Sequence, residues 1–247
     1  MPIRALSLDL FDTLVDLPME KLPRVAIGGR EIPTTAGLLH AAFAARYPIA
    51  LDSFAAALRD VDREWREAFW AQGRELPTVE RFSRLVHRLG VDDPALPSVL
   101  TELHMGAIRS LARTPAHHGA VLDLLRARFR LGLCSNFSHS PAALAILDAG
   151  GLRARFDAIV ISHDLGLRKP RREIFAAVLG ALGAEPHEVV HVGDNLDADV
   201  AGAAALGMRT AWITRCVADP DAALARHAGP LPTWTIRDLA ELDSLLA

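Results

Sequence analysis

Lysine is almost missing from this chain. Of 27 basic residues only Lys21 and Lys169 are lysines, so a lysine in a special setting is easy to single out. Cysteine is as scarce: Cys134 and Cys216 exclude a disulfide framework and fit a reducing compartment. No apolar run approaches the ~18–20 residues of a membrane-spanning helix. The N-terminus also lacks a basic stretch followed by a long apolar one, so neither a membrane partner nor a secretory signal is expected. Net charge is only -3, from 27 basic and 30 acidic residues, which argues against a general nucleic-acid partner. What the chain does have is apolar mass, 51% of 247 residues, enough for one large domain or two smaller ones. The expectation is a cytoplasmic protein acting on a small molecule.

The order of patterns suggests the architecture. Residues 3–9 form a short, continuous apolar run, as in a strand buried on both faces. Residues 25–32 read as a hairpin around Gly28-Gly29. Residues 34–46, 52–72, 77–90 and 98–112 carry apolar residues at helical spacing, with Asp52 and Thr78 as expected N-caps. Leu51, Phe54, Leu58, Val61, Trp65 and Phe69 make one stripe, read as core packing. From about residue 116 helices alternate with strands at 131–135, 157–162, 188–193 and 209–214, and a last helix spans 236–246. That alternation means a parallel sheet covered on both faces. The predicted fold is α/β: a doubly wound, parallel, Rossmann-like core from residues 1–16 and 116–247, with residues 17–115 inserted as an all-helical cap.

In such sheets ligands bind beyond the carboxyl ends of the strands. The first strand ends in Asp9, with Asp12 and Thr13 directly after it; the second ends in Ser135-Asn136. The third is followed by Lys169-Pro170, and the fourth by Gly193-Asp194, with Asp197 and Asp199 beyond. Carboxylates gathered on one edge repel one another and favour a divalent cation, and hard oxygen donors suit Mg2+. A carboxylate attacks phosphorus once the metal and a lysine have neutralised the incoming group. Each residue also has a plainer reading. Asp9 and Asp12 open a surface turn, Thr13 caps a turn, Lys169 is a solvated loop residue, and Asp197 is the N-cap of helix 197–206, the reading preferred for Asp197.

Together the four strand-end motifs resemble those of the haloacid dehalogenase (HAD) superfamily, with an α-helical cap inserted between the first two. The resemblance implies a hydrolase in which Asp9 is the nucleophile and forms an aspartyl intermediate. It implies that Thr13 and Ser135 hydrogen-bond the substrate or the nucleophile, with Asn136 beside them at the substrate. It also implies that Lys169 offsets charge on the nucleophile and the transferring group. Mg2+ would be held by Asp9, the main-chain carbonyl of Phe11 and Asp194. Asp199 joins the metal residues at one remove, bonding Lys169 or a metal-bound water.

One position departs from the phosphatase pattern. Phosphatases of this family carry a second Asp two residues after the nucleophile, as general acid and then base, and here that residue is Phe11. Asp12 lies where the family commonly has Gly, and in an extended chain it would point away from the missing acid. Three readings follow: a Mg2+-dependent phosphatase of a small phosphorylated metabolite, a 2-haloacid dehalogenase, or a phosphate-binding regulatory protein with little turnover. Phe11 and Thr13 fit the dehalogenase, which needs no metal, whereas Asp194 fits the phosphatase. His117, His118 and His139 lie close in sequence to site residues or the cap return and read as terminal or surface histidines, and Cys134 reads as a small buried strand residue.

Overall fold

The computed structural model describes residues 2–246. The chain divides into two compact units: one runs up to Asp16 and resumes at Arg113, and the other is Leu17–Ala112. The first unit closes on itself at that junction. Asp16 N–H donates to Arg113 O at 2.8 Å, and Arg113 N–H donates back to Asp16 O at 3.0 Å. This pairing sets the return at Arg113, a few residues before the expected position.

The first unit opens with β1 (Ala5–Leu8), all four residues buried. The second unit contains β2 (Arg24–Ile27), β3 (Arg30–Pro33), α1 (Ala36–Ala44), α2 (Leu51–Ala68), α3 (Thr78–Arg88) and α4 (Leu96–Leu111). The chain then returns through α5 (His118–Arg126), β4 (Arg130–Ser135), α6 (Ser140–Ala149), β5 (Ala158–Ile161), α7 (Ser162–Leu165) and α8 (Arg172–Leu182). It continues with β6 (Val189–Gly193), a π-helical turn over Leu196–Ala201, α9 (Gly202–Ala204) and β7 (Arg209–Ile213). It closes with α10 (Pro220–Arg226), β8 (Trp234–Ile236) and α11 (Glu241–Leu245).

The six strands of the first unit form one parallel sheet in the order β5-β4-β1-β6-β7-β8. Leu8 stands level with Leu133 of β4 and Val192 of β6, so the ends of the three central strands, Leu8, Ser135 and Gly193, fall at one edge of the sheet. Asp9 N–H extends the ladder by donating to Val192 O at 2.9 Å. One face of the sheet is covered by α8, whose Ile174, Phe175, Val178 and Leu182 are fully buried with Cys134 and Val189. Gly132 permits this approach: a Cβ there would lie 2.8 Å from Val178 and 2.9 Å from Leu182.

The second unit has its own core, built from Leu39, Phe43, Phe54, Leu58, Val61, Phe82, Leu85, Leu96 and Leu100. The α2 stripe packs inward at Phe54, Leu58, Val61 and Trp65, while Leu51 and Phe69 are only partly buried. Across the polar flank, Arg81 grips Asp62 with two bonds of 2.5 and 2.8 Å.

Several expectations are corrected. The hairpin expected over 25–32 does form, as β2 paired antiparallel with β3, so the second unit is not all helical; Gly28 and Gly29 supply the positive φ of 57° and 75° that its turn requires. Asp52 does not cap α2, since the helix starts one residue earlier and the carboxylate instead accepts from Gly28 N–H at 3.0 Å, tying the hairpin to the helix. Thr78 is the first helical residue, with Pro77 at the cap position. The expected last helix over 236–246 shortens to α11, and an unexpected strand, β8, joins the sheet edge just before it.

Candidate active site

Asp9 follows the last residue of β1 and is 8% exposed. Behind it the chain turns sharply: Leu14 and Val15 both donate to Leu10 O at 2.9 Å, and Asp12 N–H donates to Val15 O at 2.7 Å. Asp12 sits at φ 55°, the left-handed region that Asp tolerates better than most side chains. The segment is therefore not extended, and the alternation argument that turned Asp12 away from the missing acid does not apply there. Phe11 packs its ring edge-on against Phe137, with centroids 4.9 Å apart. An apolar pair thus occupies the position where a carboxyl would be expected.

Lys169 is 3% exposed, and its ammonium meets three acceptors: Asp9 Oδ1, Asp199 Oδ1 and Cys134 O, each at 2.6 Å. An ammonium has three protons, so this set saturates it. Burial alone would lower the lysine's pKa, but Asp199 and Asp9 outweigh it and hold the group protonated, well above its usual range. Asn136 fixes the lysine's main chain from both sides: its Nδ2 donates to Lys169 O at 3.0 Å and its Oδ1 accepts from Lys169 N–H at 2.7 Å. In this structure the Asn136 amide serves to position Lys169.

Asp199 is buried, and both of its oxygens are engaged. Oδ1 faces Lys169 and His191 Nε2, the latter at 3.0 Å, and Oδ2 accepts from Asn195 N–H at 3.1 Å. Burial would raise this carboxyl's pKa, yet Lys169 and His191 outweigh it and hold it ionised, well below the usual range. The π-helical turn swings Asp199 back over Gly193, where a Cβ would lie 2.3 Å from Asp199 Cγ. Gly193 is thus required by this close approach. His191, which sequence reasoning passed over, completes the chain of contacts to Ser7 Oγ at 3.0 Å.

Asp194 is held through its carbonyl, which accepts from Trp212 Nε1–H at 2.7 Å. Carboxylate oxygens of Asp9, Asp194 and Asp199 lie within 4.8 Å of one another. Burial, together with Asp9, Asp199 and Asp12, pushes the Asp194 carboxyl up to about 8. Burial likewise raises Asp9 to about 6, although Lys169 opposes the shift. Three carboxylates against one ammonium leave the group short of positive charge. Thr13 Oγ1 and Ser135 Oγ lie buried at the same edge without a partner among the described residues. Buried hydroxyls without partners call for a ligand that accepts their protons.

The other candidates are placed elsewhere. Asp197 is exposed and pairs with His227 Nδ1 at 3.0 Å. Asn195, not Asp197, caps the following turn, accepting from Asp197 N–H at 3.0 Å and Ala198 N–H at 2.8 Å. His139 caps α6 through Ala142 N–H at 3.1 Å. The Cys134 thiol is buried and pushed up to about 12, which keeps it protonated and inert.

Lys169→Met is expected to lower stability by about 3–5 kcal/mol, because it strands Asp9 and Asp199 as buried anions with no cation. Urea unfolding at pH 8 and pH 5 tests this, with a smaller loss at the lower pH, where Asp9, at about 6, takes up a proton. An equal loss at both pH values contradicts the ion-triad account.

The sequence model for haloacid dehalogenase-like hydrolases matches residues 3–207. The chain belongs to this family of hydrolases. Among curated relatives of this HAD-like hydrolase, the pyrimidine 5'-nucleotidase YjjG of Escherichia coli K12 is 30% identical over 67% of this chain and 69% of that protein. A phosphoserine phosphatase of Thermus thermophilus is 31% identical over 67% of this chain and 71% of that protein. Among solved structures, a 2-haloacid dehalogenase of Pseudomonas syringae superposes with a TM-score of 0.68 over 99% of this chain and 98% of that one, at 22% identity. At that identity the likeness to the dehalogenase is one of fold.

Proposed function

We propose that this HAD-like hydrolase is a Mg2+-dependent phosphatase acting on a small phosphorylated metabolite. The observation that carries the reading is the placement of Asp194 with Asp9, their carboxylate oxygens within 4.8 Å and both carboxyls raised by burial. A dehalogenase site has no use for that excess of negative charge, whereas Asp9, Asp194 and the Phe11 main-chain carbonyl suit a hard cation. When bound there, Mg2+ supplies electrostatic neutralisation of the phosphoryl oxygens. The relatives named as phosphatases and as a nucleotidase support the same chemistry. The helical unit, Leu17–Ala112, acts in this reading as the cap that selects the substrate.

The chain's own residues divide the work. Asp9 attacks phosphorus, the bond from phosphorus to the leaving oxygen breaks, and that oxygen departs with the electron pair. Water then attacks the aspartyl phosphate, releasing phosphate and restoring Asp9. Lys169, held protonated, offsets charge on Asp9 and the transferring group, while Asp199 and Asn136 hold Lys169 in place. Thr13 and Ser135 donate their unpaired hydroxyl protons to phosphoryl oxygens. No carboxyl stands at Phe11 to protonate the leaving oxygen, so acyl and aryl phosphates, which need no proton, are the favoured class.

The reading is tested by assaying phosphate release from alkyl, aryl and acyl phosphates with and without EDTA, alongside halide release from a 2-haloacid. EDTA-sensitive phosphate release supports it. The second reading, a 2-haloacid dehalogenase, rests on the Phe11–Phe137 apolar pair, and EDTA-insensitive halide release would establish it instead.

Cation uptake carries a pH signature. In the cation-free protein the raised Asp194 carboxyl contributes stability at low pH and loses that contribution as pH rises through about 8. A cation must displace that proton, and below about 6 the Asp9 proton as well. Mg2+ affinity measured by calorimetry is therefore expected to fall about tenfold per pH unit below 8, more steeply below 6. A flat profile counts against Asp194 as a ligand.

A further inference from the structure

A second group of metal-ligating side chains lies apart in its ligand set from the acidic group. His117 and His118 lead into α5, and Asp238 follows β8. One ligand atom from each lies within 4.8 Å of the others. We propose that His117, His118 and Asp238 bind one divalent transition-metal ion of the Zn2+ class.

The decisive residue is His118, which is 0% exposed. Its Nδ1 lies 2.9 Å from Leu14 O. A carbonyl only accepts, so Nδ1 carries the ring proton of the neutral imidazole and Nε2 presents a bare lone pair. That Nε2 is buried with no hydrogen-bond partner among the described residues, and Asp238 Oδ2 stands 4.0 Å away. Burial disfavours the imidazolium and keeps the ring neutral. A lone pair facing a carboxylate with no donor between them is a mismatch that a cation resolves.

His117 supplies the third ligand. Its Nε2 lies 3.0 and 2.9 Å from the two Asp238 oxygens, and its ring centroid is 4.7 Å from that of His118. A tetrahedral ion with bonds of ~2.0–2.2 Å sets its ligand atoms about 3.4 Å apart. The separations of 2.9 and 4.0 Å fall on either side of that value, so small side-chain rotations close the site. The Nδ1–H to carbonyl bond of His118 is the outer contact that orients a ligating histidine. Asp238 is oriented too, because its Oδ1 accepts from Ala240 N–H at 2.9 Å and its own N–H donates to Glu241 Oε1 at 2.9 Å. The nearby cation, Arg215, is ion-paired with Asp16 at 2.5 Å, so its charge is balanced.

Two imidazoles and one carboxylate select borderline ions over Mg2+. His117 is half exposed, which leaves the outer coordination position to water. Bound there, the ion would tie together the start of α5, the turn after β8 and, through Leu14, the loop that carries Thr13.

Zinc affinity, measured by competition with a chromophoric chelator on metal-stripped protein, tests the site in wild type, His117→Ala and Asp238→Asn. Any zinc held by Asp9 and Asp194 is common to all three proteins and cancels. His117 is exposed, so its replacement spares the fold even if Asp238→Asn does not. Wild type is expected to bind one more equivalent of Zn2+ than His117→Ala, or to bind it at least tenfold more tightly, and to gain a rise in Tm on zinc addition that the variant lacks. Equal stoichiometry and affinity in wild type and His117→Ala, or no zinc uptake by wild type, overturns the proposal.

Discussion

Asp9→Asn is expected to reduce phosphate release by at least about 10⁴-fold, since in the proposed phosphatase Asp9 forms the covalent intermediate. The same substitution is expected to leave stability unchanged or to raise it. At neutral pH the ionised Asp9 is a strained charge, because burial raises its carboxyl to about 6. Asparagine keeps the shape and removes that penalty, and Lys169 keeps Asp199 as its counter-ion at 2.6 Å. The Asp194 carboxyl is expected to move down toward its normal range, because Asp9 is the first neighbouring charge that raises it. Turnover and thermal unfolding of the one variant therefore move in different directions. Loss of both together would mean that Asp9 serves the fold and would weaken its assignment as nucleophile.

Phe11→Asp is expected to act in the opposite sense and to depend on the substrate. An alkoxide leaving group needs a proton, and a positioned acid contributes about 10²–10⁴-fold. Turnover of alkyl phosphates is therefore expected to rise by about 10²-fold or more, while aryl and acyl phosphates change little. The structural penalty is small: Phe11 is only partly buried, and its edge-on contact with Phe137 accounts for about 0.5–1.5 kcal/mol. Steady-state kinetics on a matched alkyl and aryl pair provide the measurement. An equal response of both substrates would show that Phe11 does not occupy the position of the acid.

Much of this site was legible in the sequence, because its chemistry sits in short runs at strand ends. Asp9, Ser135, Lys169 and Gly193-Asp194 are contiguous with apolar stretches that announce the strands. The strands in turn announce the edge where they end. Residues whose role depends on three-dimensional contact were not legible. His191 reads as one more residue of a buried strand, and only the fold brings it to Asp199. Asn136 looks like a substrate contact beside Ser135, yet the loop carrying Lys169 takes both ends of its amide.

The turn after β6 is the clearest failure of local reasoning. Asp197 has the right type and place for a cap, but Asn195 takes that role because the chain enters a π-helical turn rather than an α-helix. That geometry follows from Asp199 reaching back over Gly193, a tertiary demand with no local signature. The strand β8 has no signal in the sequence for a simpler reason: three residues, Trp234–Ile236, carry too little periodicity to read as a strand. Asp12 carries a further lesson, since the left-handed turn there removes the alternation that an extended chain would have imposed.

The most direct test of the account is the chemical identity of what becomes bonded to Asp9. The protein is mixed with an acyl or aryl phosphate and Mg2+, quenched in acid within one turnover, digested and examined by mass spectrometry. The account predicts a phosphoryl group on the peptide containing Asp9, absent when EDTA is present and absent from Asp9→Asn. Phosphate release with no adduct on that peptide, or an adduct on a different residue, would contradict it.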